Sequence, residues 1–82
     1  MWFLYIARCR DNSLYTGITT DIKRRESEHN EDNIRGAKSL RYKRPVHIIY
    51  TEQFETQSEA RIREAQIKRW KREYKLKLIH LK

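Results

Sequence analysis

The apolar run at the N-terminus, residues 2–7, constrains the fold more than any other feature of the sequence. Its residues, Trp-Phe-Leu-Tyr-Ile-Ala, are aromatic or aliphatic without a polar interruption. A strand that is buried on both faces has this pattern, so we predict such a strand over Trp2–Cys9. Turn-forming residues follow at 10–13, and a second β-type run spans Leu14–Ile18. The short connection between the two runs predicts an antiparallel hairpin.

The remaining elements follow in the order helix, strand, helix, helix. Residues 19–21 (Thr-Thr-Asp) are suited to cap a first helix that ends near Asn30. The rest of the chain is predicted as a polar loop over 31–44, a strand over 46–51, a helix from a capping box at 56–59 to about residue 70, and a short helix over 74–81. The order β-β-α-β-α-α predicts an α+β fold, a small three-stranded antiparallel sheet flanked by helices.

Length and charge narrow the class of protein. A chain of 82 residues predicts one domain over 1–82, and the net charge of +8 is concentrated in the second half. Such a charge favours nucleic acid as the partner over an anionic membrane or an acidic protein. The lone Cys9 excludes an intrachain disulfide, and the N-terminal apolar run is too short for a signal peptide or a membrane span. We therefore expect a cytoplasmic or nucleoid-associated protein.

The first predicted helix has unusual residues on its inner face. Ile22 is almost its only apolar residue, and Arg25, Glu26 and His29 share the face of Ile22 at helical spacing. Charged runs often mark a solvated helix face. The second interpretation is that Arg25 and His29 point into a cleft, and the pattern alone leaves both open.

The second helix repeats this feature with a carboxylate. Glu64 falls on the apolar stripe formed by Ala60, Ile67, Tyr74 and Leu78, if the helical path continues through residue 78. A carboxylate on a core-facing stripe must be paired, protonated or bound to a metal. Spacing alone favours a structural ion pair over a metal ligand, because ion-pair networks also bury carboxylates.

These residues, taken in order, resemble the GIY-YIG nuclease domain. The resemblance is carried by the tripeptides 3–5 (Phe-Leu-Tyr) and 15–17 (Tyr-Thr-Gly), by Arg25 ten residues after Tyr15, and by Glu64 late in the chain. It covers essentially the whole chain. The sequence is most similar to small stand-alone members of the family in the stretches Leu14–Thr19 and Ile67–Trp70.

The resemblance implies a role for each matching position. Tyr5, Tyr15, Arg25 and His29 correspond to catalytic positions, and Gly17 ends the second motif. Glu64 corresponds to the family's single metal-binding carboxylate, which implies one Mg²⁺ or Mn²⁺ ion. The implied reaction is endonucleolytic hydrolysis of phosphodiester bonds, with Tyr15 preferred over Tyr5 as the base that activates water. The family also includes DNA-repair enzymes, so DNA is favoured over RNA as the substrate.

One departure from the family keeps other functions open. Ile18 stands where excision-repair members have a lysine, which favours a weak or inactive nucleic-acid-binding module as the main alternative. A protein-interaction module with an acidic partner is the third reading, and a protein partner would also supply specificity. The basic residues expected to contact phosphate are Lys38, Arg41, Lys43, Arg44, Lys68 and Arg69.

Overall fold

A three-stranded antiparallel sheet organises the protein, as shown by a computed structural model that describes residues 1–81. Strands β1 (Trp2–Cys9), β2 (Leu14–Thr19) and β3 (Val46–Phe54) lie in the order β2-β1-β3. Because β1 is central, its residues from Leu4 to Ala7 are buried on both faces of the sheet. The predicted hairpin and the burial of the first strand are confirmed, while β3 is three residues longer than predicted.

Four helical segments accompany the sheet. They are α1 (Ile22–Glu31), a 3₁₀ helix (Lys38–Lys43), α2 (Gln57–Lys68) and α3 (Arg72–His80). Asp21 caps α1 by accepting a hydrogen bond from the backbone N–H of Arg24, and both bonds of the capping box between Thr56 and Glu59 are present at α2. The α+β fold is therefore confirmed, and none of the helices is long and apolar enough to cross a membrane within residues 1–81.

The segment predicted as a loop over 31–44 contains the 3₁₀ helix. This helix has no capping side chain, and Leu40 is its one buried residue among mostly polar neighbours. Leu40 belongs to the core cluster on the α1 side of the sheet. Tertiary packing of a single leucine orders this segment, which explains why the polar sequence pattern predicted a loop.

The two faces of the sheet carry separate cores. The first core contains Tyr5, Ala7, Cys9, Leu40 and Val46, and the second contains Leu4, Ile6, Tyr50 and Ile67. A register shift in the β1–β3 pairing determines which core each residue of β3 packs against. Ile6 is paired with Tyr50 but the next residue, Ala7, is paired with Ile48. This β-bulge adds one residue to β3, so Ile48 and Tyr50 pack against opposite faces.

The apolar stripe predicted to run from α2 into the last helix loses Tyr74, whereas Leu78 packs against the same core as Ile67. Ala60 and Ile67 are completely buried, but 51% of Tyr74 is exposed. Helix α2 ends at Lys68 and α3 begins at Arg72, so the residues of α3 do not continue the helical spacing of α2. The prediction that Tyr74 faces the core with Ala60 and Ile67 is wrong for this reason.

Candidate functional site

Helix α1 docks on the sheet edge through polar side chains. The amide of Asn30 accepts from the backbone N–H of Val46 at 2.6 Å and donates to its carbonyl at 2.7 Å. Glu26 accepts from the backbone N–H of Ile48 at 2.6 Å. Strand β3 is an edge strand, and these side chains bond backbone groups that have no further strand as a partner. These hydrogen bonds explain why α1 has few apolar residues. They also fix the orientation of the helix that carries Arg25 and His29.

His29 lies in the interior of the site. Its side chain is fully buried, and its Nε2 lies 2.7 Å from the hydroxyl oxygen of Tyr5. The backbone N–H of Ala37 donates to Nδ1 across 3.4 Å, so the imidazole proton is assigned to Nε2 and His29 donates to Tyr5. Burial, and then the positive charge of Arg25, lower the pKa of His29 to about 4. His29 is therefore neutral at neutral pH.

Tyr5 passes over the glycine on the neighbouring strand. Tyr5 and Gly17 are cross-strand partners, and a Cβ at position 17 would lie 2.5 Å from the Tyr5 hydroxyl oxygen. Gly17 thus provides the space that the phenol ring occupies. Burial raises the pKa of Tyr5 to about 12, although a hydrogen bond from Arg25 acts in the opposite direction. Tyr5 consequently keeps its proton at neutral pH.

Tyr15 completes a group of three rings. Its centroid lies 6.3 Å from that of Tyr5 and 5.4 Å from that of His29, with an edge-on geometry to the imidazole. Tyr15 is half-buried, whereas the other two rings are buried. Of the three rings, Tyr15 is therefore the one with access to a ligand arriving from solvent.

Arg25 is held at one of its nitrogen atoms. Its Nη1 donates to the carbonyl oxygen of Arg35 at 2.7 Å and to Oε1 of Glu28 at 3.1 Å. The guanidinium also hydrogen-bonds Tyr5, and 23% of the side chain is exposed. A guanidinium carries five N–H donors in a planar fork, so donors remain for an anion.

Glu64 brings a negative charge to the same site from α2. Its charge contributes to the raised pKa of Tyr5, after burial and the charge of Tyr15. The carboxylate pairs with Lys68 at 3.4 Å, one turn later in the helix, and the two side chains are 22% and 53% exposed. The ion-pair interpretation therefore holds in this structure, but its cation is a solvated lysine and not a buried arginine.

The carboxylate of Glu64 is suited to a hard divalent cation. Within residues 1–81, no three His, Cys, Asp or Glu side chains are grouped so as to hold a metal ion together. A closed structural zinc site needs four protein ligands. Mg²⁺ instead keeps several waters and uses one or two carboxylates together with substrate phosphate. A single accessible carboxylate among basic residues fits the second pattern.

The basic loop serves the fold as well as any ligand. Arg44 donates to the carbonyl oxygens of His29 at 2.6 Å and Asp32 at 3.3 Å, which satisfies acceptors at the C-terminal end of α1. Arg41 donates to the carbonyl of Asn33 at 2.6 Å. Lys43 lies 3.7 Å from Asp11, and Lys38 is exposed. The predicted phosphate contacts of these residues stay predictions, and the two arginines have a structural role beside them.

Tyr5, Tyr15, Arg25 and His29 lie together in the structure, and the charge of Glu64 acts on Tyr5 from α2. Tyr5 and Tyr15 come from the hairpin, Arg25 and His29 from α1, and Glu64 from α2. The interpretation of the α1 face as solvated is wrong for His29, because that residue is buried. Two supporting groups were missed from the sequence. Glu28, three residues after Arg25, was detectable from helical spacing, whereas nothing in the sequence indicated the Ala37 N–H.

Comparisons with known proteins agree with this arrangement. The profile of the GIY-YIG catalytic domain matches residues 1–77. A UPF0213 protein of Staphylococcus saprophyticus is 49% identical over 77 residues, covering 94% of this chain and 92% of that protein. A UPF0213 protein of Staphylococcus aureus is 48% identical with the same coverage.

A solved structure gives the same result. The solution NMR structure of a UPF0213 protein from Bacillus halodurans is 37% identical, covers all of this chain and 86% of its own, and superposes with a TM-score of 0.63. A GIY-YIG domain implies nuclease-type chemistry on nucleic acid with the help of a divalent metal. With the shared residues, the shared fold and the convergent site in place, the chain belongs to the GIY-YIG family, and its relatives there are the UPF0213 proteins.

Proposed function

We propose that this chain is a single GIY-YIG domain that acts as a metal-dependent endonuclease, hydrolysing phosphodiester bonds of DNA in preference to RNA. The observation that carries the proposal is the convergence of Tyr15, Arg25 and Glu64 around the buried pair of Tyr5 and His29. Base, phosphate-binding and metal-binding groups in one site are what phosphodiester hydrolysis requires.

The two tyrosines take different roles in this proposal. Tyr5 has a pKa of about 12, so it stays protonated, and the hydrogen bond that its oxygen accepts from His29 fixes the position of its ring. Tyr15 is the more accessible phenol; as the phenolate, after its own proton has passed to solvent, it takes the proton from the attacking water. His29 is neutral and therefore acts through its Nε2–H on the Tyr5 oxygen.

Arg25 and Glu64 act on the charge of the phosphate. Arg25 is fixed through Nη1, and its remaining donors bind the non-bridging oxygens as negative charge develops. Glu64 would hold one Mg²⁺ or Mn²⁺ ion, which would supply Lewis-acid stabilisation of the leaving oxygen. The exposed Lys38, Lys68 and Arg69 provide contacts to neighbouring phosphates.

A second candidate function rests on position 18. Ile18 packs against the core on the α2 side, so no cation follows Gly17 in the site. This observation favours a nucleic-acid-binding module that retains the site residues but cleaves slowly or not at all. Cleavage itself separates the two functions.

The test is cleavage of plasmid DNA, branched DNA and RNA, with Mg²⁺, with Mn²⁺ and with EDTA, by the wild type and by Glu64→Ala. The matched control is Glu73→Ala, which removes an exposed carboxylate from α3. Glu64→Ala should lose metal-dependent cleavage and bind DNA at least as tightly, because an anionic group is removed from the site. Its melting temperature should stay near that of the wild type, since Lys68 is left in solvent.

Three results would contradict the proposal. Unchanged cleavage by Glu64→Ala would remove Glu64 from the mechanism. A large fall in its melting temperature would mean that the carboxylate is structural, because removing one partner of a buried pair costs about 3–5 kcal/mol. Absence of cleavage by the wild type with retained DNA binding would establish the second candidate function.

A further inference from the structure

An apolar groove lies on α3, and the proposed catalytic residues do not line it. Its volume is about 380 Å³, and its lining residues are Trp70, Tyr74, Lys77, Leu78 and Leu81. Leu78 and Trp70 pack against the second core, whereas 51% of Tyr74 and 85% of Leu81 are exposed. A concave surface lined by aromatic and aliphatic side chains is the kind of site that takes up a small ligand group.

The surroundings of the groove are strongly cationic. Between positions 68 and 77 the only acidic residue is Glu73, among the basic residues Lys68, Arg69, Lys71, Arg72, Lys75 and Lys77. The ammonium of Lys77 lies 5.5 Å from the centre of the Tyr74 ring. The pKa of Lys75 is lowered by burial and then by the charge of Lys68, which places two ammonium groups near each other. The occupant must therefore combine negative charge with an apolar surface.

Both charge and size argue against a protein occupant. A second copy of this chain carries the same +8 and is repelled. A stable protein interface engages roughly 20–30 residues on each side, whereas five side chains line this groove. A groove of this extent suits one or two planar groups.

The two aromatic rings of the groove, Trp70 and Tyr74, have different cations beside them. The guanidinium of Arg63, which donates two hydrogen bonds to Glu52, lies 5.3 Å from the Trp70 ring centre. The ammonium of Lys77 lies near the Tyr74 ring, and 51% of Tyr74 is exposed to solvent. An exposed ring beside positive charge is the arrangement that stacks nucleobases while lysines bind the phosphates.

We propose that the α3 groove binds an unpaired nucleobase, stacked on Tyr74, with Lys77 moved to the adjacent phosphate. The inference deepens the proposed function and rests on it in one respect, since it makes strands with unpaired bases the preferred substrate class. Duplex DNA buries its bases in the helical stack and offers none to Tyr74.

The test measures binding in EDTA, where cleavage plays no part. Two 12-nucleotide strands of equal charge are compared, oligo-dT and a fully abasic strand, with Trp70 fluorescence as the readout in a Trp2→Phe background. Oligo-dT should quench Trp70 and bind about tenfold more tightly, the scale of one base–aromatic stack. Tyr74→Leu should reduce oligo-dT binding to that of the abasic strand and leave abasic binding unchanged. The control Tyr42→Leu alters an 84% exposed tyrosine of the 3₁₀ helix and should change neither.

Three results would overturn the inference. The first is equal binding of the two strands by the wild type, which requires no variant to fold. The second is an equal loss on both strands in Tyr74→Leu. The third is stronger quenching by a 12-residue peptide of alternating Glu and Leu than by oligo-dT, which would assign the groove to an acidic protein. Because binding is measured without metal, an inactive nuclease leaves the stacking result intact, and a failed stacking result leaves cleavage of duplex DNA intact.

Discussion

At the scale of single residues, the site depends on the groups that keep the His29 imidazole neutral. His29 has a protein partner at each ring nitrogen, with the Ala37 N–H at Nδ1 and the Tyr5 oxygen at Nε2. A proton added at Nδ1 would face an N–H donor, and the charged ring would be buried beside Arg25. The fold therefore selects the neutral imidazole, and protonation must oppose folding.

Acid should destabilise the protein through His29. Its pKa in the folded chain, about 4, is below the usual 6.5, so the unfolded chain binds the proton more tightly. The contribution is fully present above pH 6.5 and is lost as the pH falls towards 4, by up to roughly 3 kcal/mol at about 1.4 kcal/mol per pKa unit. Urea unfolding between pH 7 and 4 measures this loss.

The matched variants are His29→Gln and His47→Gln. Glutamine at position 29 keeps an amide donor for Tyr5 but does not titrate, so the loss between pH 6.5 and 4 should become smaller. His47 is exposed on β3, and its replacement should leave the pH dependence unchanged. Equal pH dependence in the wild type and His29→Gln would refute the assignment.

Arg25 should act through the shape of its guanidinium. Lysine keeps the charge but has no second nitrogen to hold the Arg35 carbonyl while another donor reaches the phosphate. Arg25→Lys should lower cleavage by roughly 10²-fold, the scale of one lost transition-state donor. Arg24→Lys is the control, because that neighbouring side chain is 56% exposed. Cleavage by Arg25→Lys at the wild-type rate would exclude the role.

At the scale of elements, α1 combines two functions on one helix. Asn30 and Glu26 bond the edge of β3, while Arg25 and His29, on adjacent positions of the helix, enter the site. The docking bonds replace the apolar stripe that a helix of this length would ordinarily bury. Any loosening of the helix from β3 therefore moves the catalytic groups as well.

Removing the docking amide should cost stability and activity together. Asn30→Ala leaves the N–H and carbonyl of the buried Val46 without their side-chain partner. An unsatisfied buried polar group costs about 1–3 kcal/mol. Ser27→Ala, on the exposed side of the same helix, should cost much less. Chemical denaturation of both variants checks this, and an equal effect of the two would mean that Asn30 does not anchor α1.

The sequence predicted the elements better than it predicted their contacts. Strand β1 was recognised from its unbroken apolar run, and the starts of α1 and α2 from their capping residues, because both signals are local. The bond of Asn30 to Val46 and that of Ala37 to His29 join residues 16 and 8 positions apart through tertiary packing. Tyr74 was misplaced because the stripe assumed a continuous helical phase across residues 69–71, whereas the orientation of α3 relative to α2 depends on tertiary packing.

At the scale of the whole molecule, charge dominates the expected interactions. The net charge is +8, and α3 with the end of α2 contributes a dense group of cations. Several of the arginines are engaged within the fold, such as Arg44 at the end of α1 and Arg63 with Glu52. The lysines remain more exposed and are better placed to bind a polyanion.

Binding to nucleic acid should depend steeply on salt. Raising salt from about 50 to about 200 mM should weaken binding about tenfold or more if a few phosphates are contacted, since each contact releases counterions. Lys68→Gln should reduce the slope of log affinity against log salt, whereas Lys23→Gln on α1 serves as the control for loss of one charge. A slope near zero in the wild type would contradict a nucleic-acid partner.

The β-bulge in β3 has a consequence for how such chains tolerate length changes. Since Val46 and Ile48 serve one core and Tyr50 serves the other, Ile49 is the extra residue that the bulge accommodates between them. Deleting Ile49 would make Ile48 and Tyr50 consecutive, and the regular alternation of a strand would keep each on its own face, whereas deleting His47 would turn Val46 away from its core. Natural variation in length should accordingly collect in the 32–37 and 69–71 connections and at the bulge, and homologous chains should keep the spacing from Val46 to Ile48 unchanged.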